Sequence, residues 1–158
     1  MKFSIVTAKE KDMQEILKLI KKHGRYDAIT AERYYKKYFY SDDSELRNDQ
    51  VFVGKLDGKI IGVIGYSRDY YGTERSYWLG WFYVHPKYRG KGYGQKLLKA
   101  VEAELRRYNV KRLFADTTSN EIYKWAVKFY LSNGFRLEGT LRDYYGKGED
   151  QIIFGKDL

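Results

Sequence analysis

Cysteine is absent from this 158-residue chain, so neither a disulfide framework nor any use of an oxidising compartment can be read from it. Proline is almost absent too: Pro86 stands alone, and no Pro/Ser-rich linker, repeat or low-complexity tract divides the sequence. That continuity, at the usual size of one domain, implies a single domain over residues 1–158. No apolar run approaches the roughly 18 residues that a membrane span needs. The opening Met1-Lys2-Phe3-Ser4-Ile5-Val6 is interrupted by charge too soon to act as a signal peptide, so the expected setting is cytoplasmic.

What the chain does have is positive charge. Lys and Arg outnumber Asp and Glu by 30 to 21, a formal +9, which favours an anionic ligand or partner. Nucleic acid, an acidic protein and a polyphosphate cofactor all satisfy that condition, and scattered surface lysines serve solubility as well. A composition of 43% hydrophobic and 32% charged residues is that of a globular chain with its own core.

Apolar periodicity alternates between the two regular types. Lys2 to Val6 reads as a strand, and Thr7-Ala8-Lys9-Glu10 has capping-box spacing ahead of a helix carrying Met13, Ile16, Leu17 and Ile20, with Gly24 as a left-handed stop. A second, aromatic-rich helix is predicted over Ala31 to Phe39. Val51 to Leu56 and Ile60 to Tyr66 are strand-like runs joined by Asp57-Gly58, a pair suited to a tight antiparallel hairpin. Ser76 to Val84 is a further strand, followed by a glycine-rich turn and a helix with Leu97, Leu98, Val101 and Leu105 on one face. Lys111 to Asp116 is a strand, Glu121 to Leu131 a helix stopped by Asn133-Gly134, and Arg136 to Leu141 and Gln151 to Phe154 are the last strands. The predicted class is α/β with mixed strand directions.

The chemistry concentrates between the strand ending at Val84 and the helix that follows. In Arg89-Gly90-Lys91-Gly92-Tyr93-Gly94-Gln95 three glycines fall at alternate positions among cations. Backbone N–H groups without Cβ obstruction, at the positive end of a helix dipole, form a cradle for a pyrophosphate, and Lys87, Arg89, Lys91 and Lys96 add charge around it. A Walker loop needs Ser or Thr after Gly-Lys, where this chain has Gly92. A dinucleotide fingerprint starting at Gly90 would place Gln95 where its last glycine belongs.

The segment resembles the Arg/Gln-x-x-Gly-x-Gly/Ala signature of the GNAT N-acetyltransferases, and the preceding Val84-His85-Pro86-Lys87-Tyr88 is typical of that family. Ala126-Val127-Lys128-Phe129-Tyr130-Leu131-Ser132-Asn133-Gly134-Phe135 is similar to the family's Ala-x-x-Phe-Tyr-x-x-x-Gly-Phe run, so the likeness covers nearly the whole sequence. It implies the acyl-CoA N-acyltransferase fold: a mixed, mostly antiparallel twisted sheet of about six or seven strands flanked by about four helices. It also implies acetyl-CoA as cosubstrate, with the pyrophosphate on Arg89, Gly90, Lys91, Gly92, Tyr93, Gly94 and Gln95 and the pantetheine arm on the main chain of Phe82, Tyr83 and Val84. Tyr130 is implied as general acid at the thioester sulfur, and Lys128 and Tyr130 as cofactor-binding residues. No metal is required.

Two positions depart from the family pattern. Its asparagine three residues before the alanine corresponds to Tyr123, while Asn120 lies one turn earlier, so either residue takes that role. Tyr77-Trp78-Leu79-Gly80-Trp81-Phe82 lacks the usual carboxylate, which makes Asp116 the first candidate base, with Glu74, His85 or a water chain behind it; His85, ahead of proline, reads as structural. Tyr34, Tyr35, Tyr38, Tyr70, Tyr71, Trp78, Trp81 and Tyr144 serve as core or line an acceptor groove, where Asp69, Glu74 and Asp143 would attract a cationic amine. The tail from Leu141 to Asp150 is similar to that of ribosomal-protein and N-terminal acetyltransferases, which tilts the acceptor towards a peptide N-terminus over a small amine. A homodimer is compatible with the resemblance. The alternative function is a non-catalytic CoA-binding or RNA-docking module on the same fold, although no RNA-recognition signature accompanies the basic charge.

Overall fold

The computed structural model describes residues 1–42, 49–69 and 71–158, and for Arg25 and Tyr26 the backbone alone. Seven strands, β1 (Phe3–Thr7), β2 (Gln50–Leu56), β3 (Lys59–Arg68), β4 (Ser76–Val84), β5 (Arg112–Thr118), β6 (Arg136–Gly146) and β7 (Glu149–Asp157), form one sheet in the order β1-β2-β3-β4-β5-β7-β6. Among the described residues four α-helices accompany them: α1 (Met13–Lys21), α2 (Arg25–Tyr40), α3 (Tyr93–Arg107) and α4 (Lys124–Ser132). This is the mixed, mostly antiparallel arrangement expected from the sequence; β4 and β5 make the parallel pair. The described residues group into two compact units, Met1–Ser67 with Gly80–Glu104 and Arg68–Leu79 with Leu105–Leu158.

In the first unit the period-2 alternation of β2 and β3 explains where the helices sit. Val53 pairs with Val63 and Gly54 with Gly62, so valines occupy one face of the ribbon and glycines the other. The valine face packs into a core with Ile16, Ile20, Tyr35 and Val51 from α1, α2 and β2. On the glycine face the missing Cβ atoms make room for α3: a Cβ at Gly62 would lie 2.7 Å from Leu97 Cδ1. Leu97 is fully buried, so truncating it to alanine is expected to cost about 2–5 kcal/mol, read as a lower urea midpoint with an unchanged slope.

The Asp57-Gly58 hairpin forms as predicted, with both residues at positive φ (47° and 84°). Three local expectations are corrected. Thr7 stays in β1 opposite Phe52, and α1 begins only at Met13, because Asp12 rather than Glu10 reaches back to the Lys9 N–H at 2.9 Å. Asp12 is buried and paired with Lys55 Nζ at 2.8 Å, a partner 43 residues away. Gly24 has φ 172°, which is extended backbone at the entry to α2 rather than a left-handed stop, and α2 starts there instead of at Ala31.

In the second unit β5, β7 and β6 form an antiparallel ladder. Its core holds Leu113, Ala115, Ala126, Tyr130, Phe135 and Phe154. Asn133-Gly134 ends α4 as predicted, and the Phe135 N–H turns back to the Tyr130 carbonyl at 3.1 Å. Both β6 and β7 run longer than the sequence implied.

Candidate active-site elements

Beyond Val84 the chain makes a short 3-10 turn, Pro86–Tyr88, then passes through Gly90 and Gly92 into α3. His85 builds this turn, as its structural reading required: its N–H donates to the Ile61 carbonyl at 2.8 Å and its Nδ1 accepts from the Lys87 N–H at 3.2 Å. Gly90 and Gly92 have φ of 70° and 80°, in the left-handed region, and among the described residues no heavy atom beyond their chain neighbours lies within 4 Å of where a Cβ would stand on either. Lys96 makes the bond back to the Gly92 carbonyl at 3.0 Å. The N–H groups of Tyr93, Gly94 and Gln95 therefore belong to the first turn, where an α-helix offers no internal acceptor. Left-handed glycines leading into the first-turn N–H groups of a helix fit a pyrophosphate. Lys87, Lys91, Gln95 and Lys96 are exposed around the turn, with Lys91 Nζ over the Tyr88 ring and Lys96 Nζ over the rings of Phe3 and Tyr93.

Arg89 behaves differently from these lysines. Its Nε donates to the Val84 carbonyl at 3.2 Å and its Nη2 lies 2.7 Å from His23 Nδ1, a contact with no sequence signal because His23 stands 66 residues earlier. Phe82, Tyr83 and Val84 close β4, after Trp81 has broken regular strand geometry with φ 52°.

The second unit holds Asp116, Asn120, Tyr123, Lys128 and Tyr130. Tyr130 is 7% exposed, its ring against Phe135 and Phe154 at 5.2 and 5.4 Å between centroids. Burial, and then the charge of Asp116, hold its phenol well above the usual pKa, so it stays protonated and able to donate. Asp116 Oδ2 accepts from Gln151 Nε2 at 2.8 Å and from Tyr145 Oη at 3.4 Å. Burial and Asp116 push the Tyr145 phenol up to about 12. No motif links Tyr145 and Gln151 to Asp116: the β5–β7 register, with Thr118 opposite Gln151, brings Gln151 to it, and the β6–β7 pairing brings Tyr145.

Asn120 commits its side-chain oxygen to the Ile122 N–H at 3.1 Å, capping a 3-10 turn, while Tyr123 precedes α4 with its ring near Trp125. Lys128 is exposed on α4, and Glu74 is exposed ahead of β4. Tyr34, Tyr35, Tyr38 and Trp81 pack together, Tyr34 Oη donating to Asp49 at 2.8 Å; Tyr70 lies outside the described residues. Among the described residues no group of three or more His, Asp or Glu is placed to hold a metal, and no helix is long and apolar enough to cross a membrane.

The sequence profile of the Acetyltransferase (GNAT) family matches residues 12–135. The chain belongs to that family. This GNAT chain is 37% identical over 71 residues to the spermine/spermidine N(1)-acetyltransferase of Bacillus subtilis, a match covering 44% of this chain and 45% of that protein, less than half of its length. The same fold, with TM-score 0.89 and 22% identity over 99% of both chains, occurs in a GNAT-family protein from Desulfovibrio desulfuricans. An aminoglycoside 6'-N-acetyltransferase solved with coenzyme A shares it at TM-score 0.74 and 14% identity, over 98% of this GNAT chain and 96% of that one.

Proposed function

We propose that this protein is an N-acetyltransferase that moves the acetyl group of acetyl-CoA to a primary amine, acting as one transferase domain over residues 1–158 in the cytoplasm. The observation that carries the proposal is the glycine turn: left-handed Gly90 and Gly92 with nothing packed on them, leading into the N-terminus of α3. Arg89 to Gln95 hold the pyrophosphate through backbone amides, and Phe82, Tyr83 and Val84 bond the pantetheine arm through main chain. Either Asn120 or Tyr123 takes the role of the family's asparagine, and Lys128 is a further cofactor-binding residue.

In the reaction the neutral amine attacks the thioester carbonyl, the N–C bond forms, and the C–S bond breaks. Tyr130 donates its phenolic hydrogen to the departing sulfur, while the proton released by the amine passes to Asp116 or to water. Two acceptor classes are supported, each by a different likeness: the matched relative's name points to a polyamine, and the tail from Leu141 to Asp150 points to a peptide N-terminus.

Thermal unfolding with acetyl-CoA tests the reading, with ATP and NAD as controls. At about a hundredfold over its dissociation constant acetyl-CoA should add roughly 2.7 kcal/mol, which at this size raises the midpoint by roughly 5–10 °C. Thiol release with spermidine, and with short peptides bearing a free N-terminus, then identifies the acceptor. A shift of equal size with ATP, or none with acetyl-CoA, overturns the proposal.

A further inference from the structure

His23 follows α1 and its ring is held on two sides. Tyr83 meets it edge-on at 4.5 Å between centroids, and Arg89 Nη2 stands 2.7 Å from its Nδ1. A guanidinium has donors only, so a contact this short requires Nδ1 to offer its lone pair, which fixes a neutral imidazole with the proton on Nε2. The Val84 backbone bonds the same ring and also accepts from Arg89 Nε at 3.2 Å. His23, Arg89 and Val84 thus close a ring of hydrogen bonds that ties the end of α1 to the residue immediately before Gly90.

We propose that His23 is a positioning residue for the anion turn: its neutral imidazole anchors Arg89 and so holds the loop carrying Gly90 and Gly92 ready for the pyrophosphate. This rests on the reading of that turn as the acetyl-CoA site. Glycines confer flexibility as well as access, and a turn with two left-handed glycines loses more entropy on binding than a braced one. Arg89 is the brace, and His23 is what keeps its fork from swinging out among the exposed lysines. Among the described groups that face His23 are Arg89, His85, the Tyr83 ring and the Val84 backbone, with Lys22 next to it in the chain and acting on His85. Burial first, then the Arg89 and His85 charges, lower its pKa to about 4, so the accepting form persists throughout the neutral range.

Acetyl-CoA affinity, measured by calorimetry for the unsubstituted protein and for His23 and Arg89 variants, tests the proposal. His23→Ala should weaken binding roughly tenfold, the range of one hydrogen bond to a charged group, and raise KM with kcat within about twofold. His23→Gln, which accepts, should stay within about threefold, whereas His23→Lys, which only donates, should lose tenfold or more; this pair decides even where the alanine variant folds poorly. Because the effect runs through Arg89, Arg89→Ala and the double variant Arg89→Ala/His23→Ala should bind equally. Losses that multiply in the double variant, or His23→Ala and His23→Lys binding like the unsubstituted protein, overturn the positioning role while leaving the cofactor reading intact. Failure of the unsubstituted protein to bind acetyl-CoA overturns both.

Discussion

Tyr130→Phe should lower kcat about a hundredfold while the Kd for acetyl-CoA and the unfolding midpoint stay near those of the unsubstituted protein. The substitution removes one oxygen and keeps the ring that packs on Phe135 and Phe154, so the core of the second unit is preserved. The magnitude follows from the phenol's state. Burial and Asp116 hold Tyr130 protonated, and a group so held is a dependable hydrogen-bond donor at neutral pH. It is also a weaker acid than an ordinary thiol, whose pKa is about 8.5 against about 10 for an unperturbed phenol. Transfer from Tyr130 to the thiolate runs uphill on its own, so it is completed as the phenolate regains a proton, the one the amine gives up, by way of Asp116 or water. An interaction made chiefly in the transition state lowers kcat and kcat/KM together. Steady-state rates of thiol release, with Kd from calorimetry, read this directly; a kcat within about threefold of the unsubstituted protein removes Tyr130 from the chemistry. Asp116→Asn, measured beside it, separates a base from a group that only holds Gln151 and Tyr145.

Features written into the sequence by local chemistry were legible. The Asp57-Gly58 hairpin, the glycine turn before α3 and the Asn133-Gly134 end of α4 each depend on what a few adjacent residues can do with their own backbone, and each stands where the letters put it. The strand from Ser76 to Val84 stands where the sequence puts it because its aromatic residues, interrupted only at Leu79-Gly80, run up to the turn. The misses have a different origin. Glu10 and Asp12 both lie within reach of an early helix turn, and what favours Asp12 is Lys55, brought alongside by β2. Gly24 could serve a helix end or a helix start, and packing of α2 against α1 selects the second. The Asp116–Gln151–Tyr145 set exists only once β5 and β7 are in register, and the His23–Arg89 contact only once α1 lies beside the turn. A motif names the residues that backbone chemistry requires, but not the distant side chains that hold them still.

Gly92→Val should weaken acetyl-CoA binding by a hundredfold or more, a loss much larger than its effect on folding would explain. Gly92 has φ 80°, and an L-residue there costs roughly 1–2 kcal/mol, with a β-branched residue at the upper end. Among the described residues no heavy atom beyond the chain neighbours lies within 4 Å of the added Cβ, so backbone strain is the main cost of valine to stability. The cost to binding is separate: the valine methyls occupy the open space through which an anion reaches the N–H groups of Tyr93, Gly94 and Gln95. Gly58 provides the control, since it has φ 84°, equally open surroundings, and a place in the β2–β3 hairpin away from any proposed ligand contact. Gly58→Val should therefore lower the unfolding midpoint about as much as Gly92→Val yet bind acetyl-CoA with unchanged affinity. If the two variants bind alike, the glycines of the turn are there for its backbone shape alone, and the pyrophosphate contacts must be sought elsewhere in the chain.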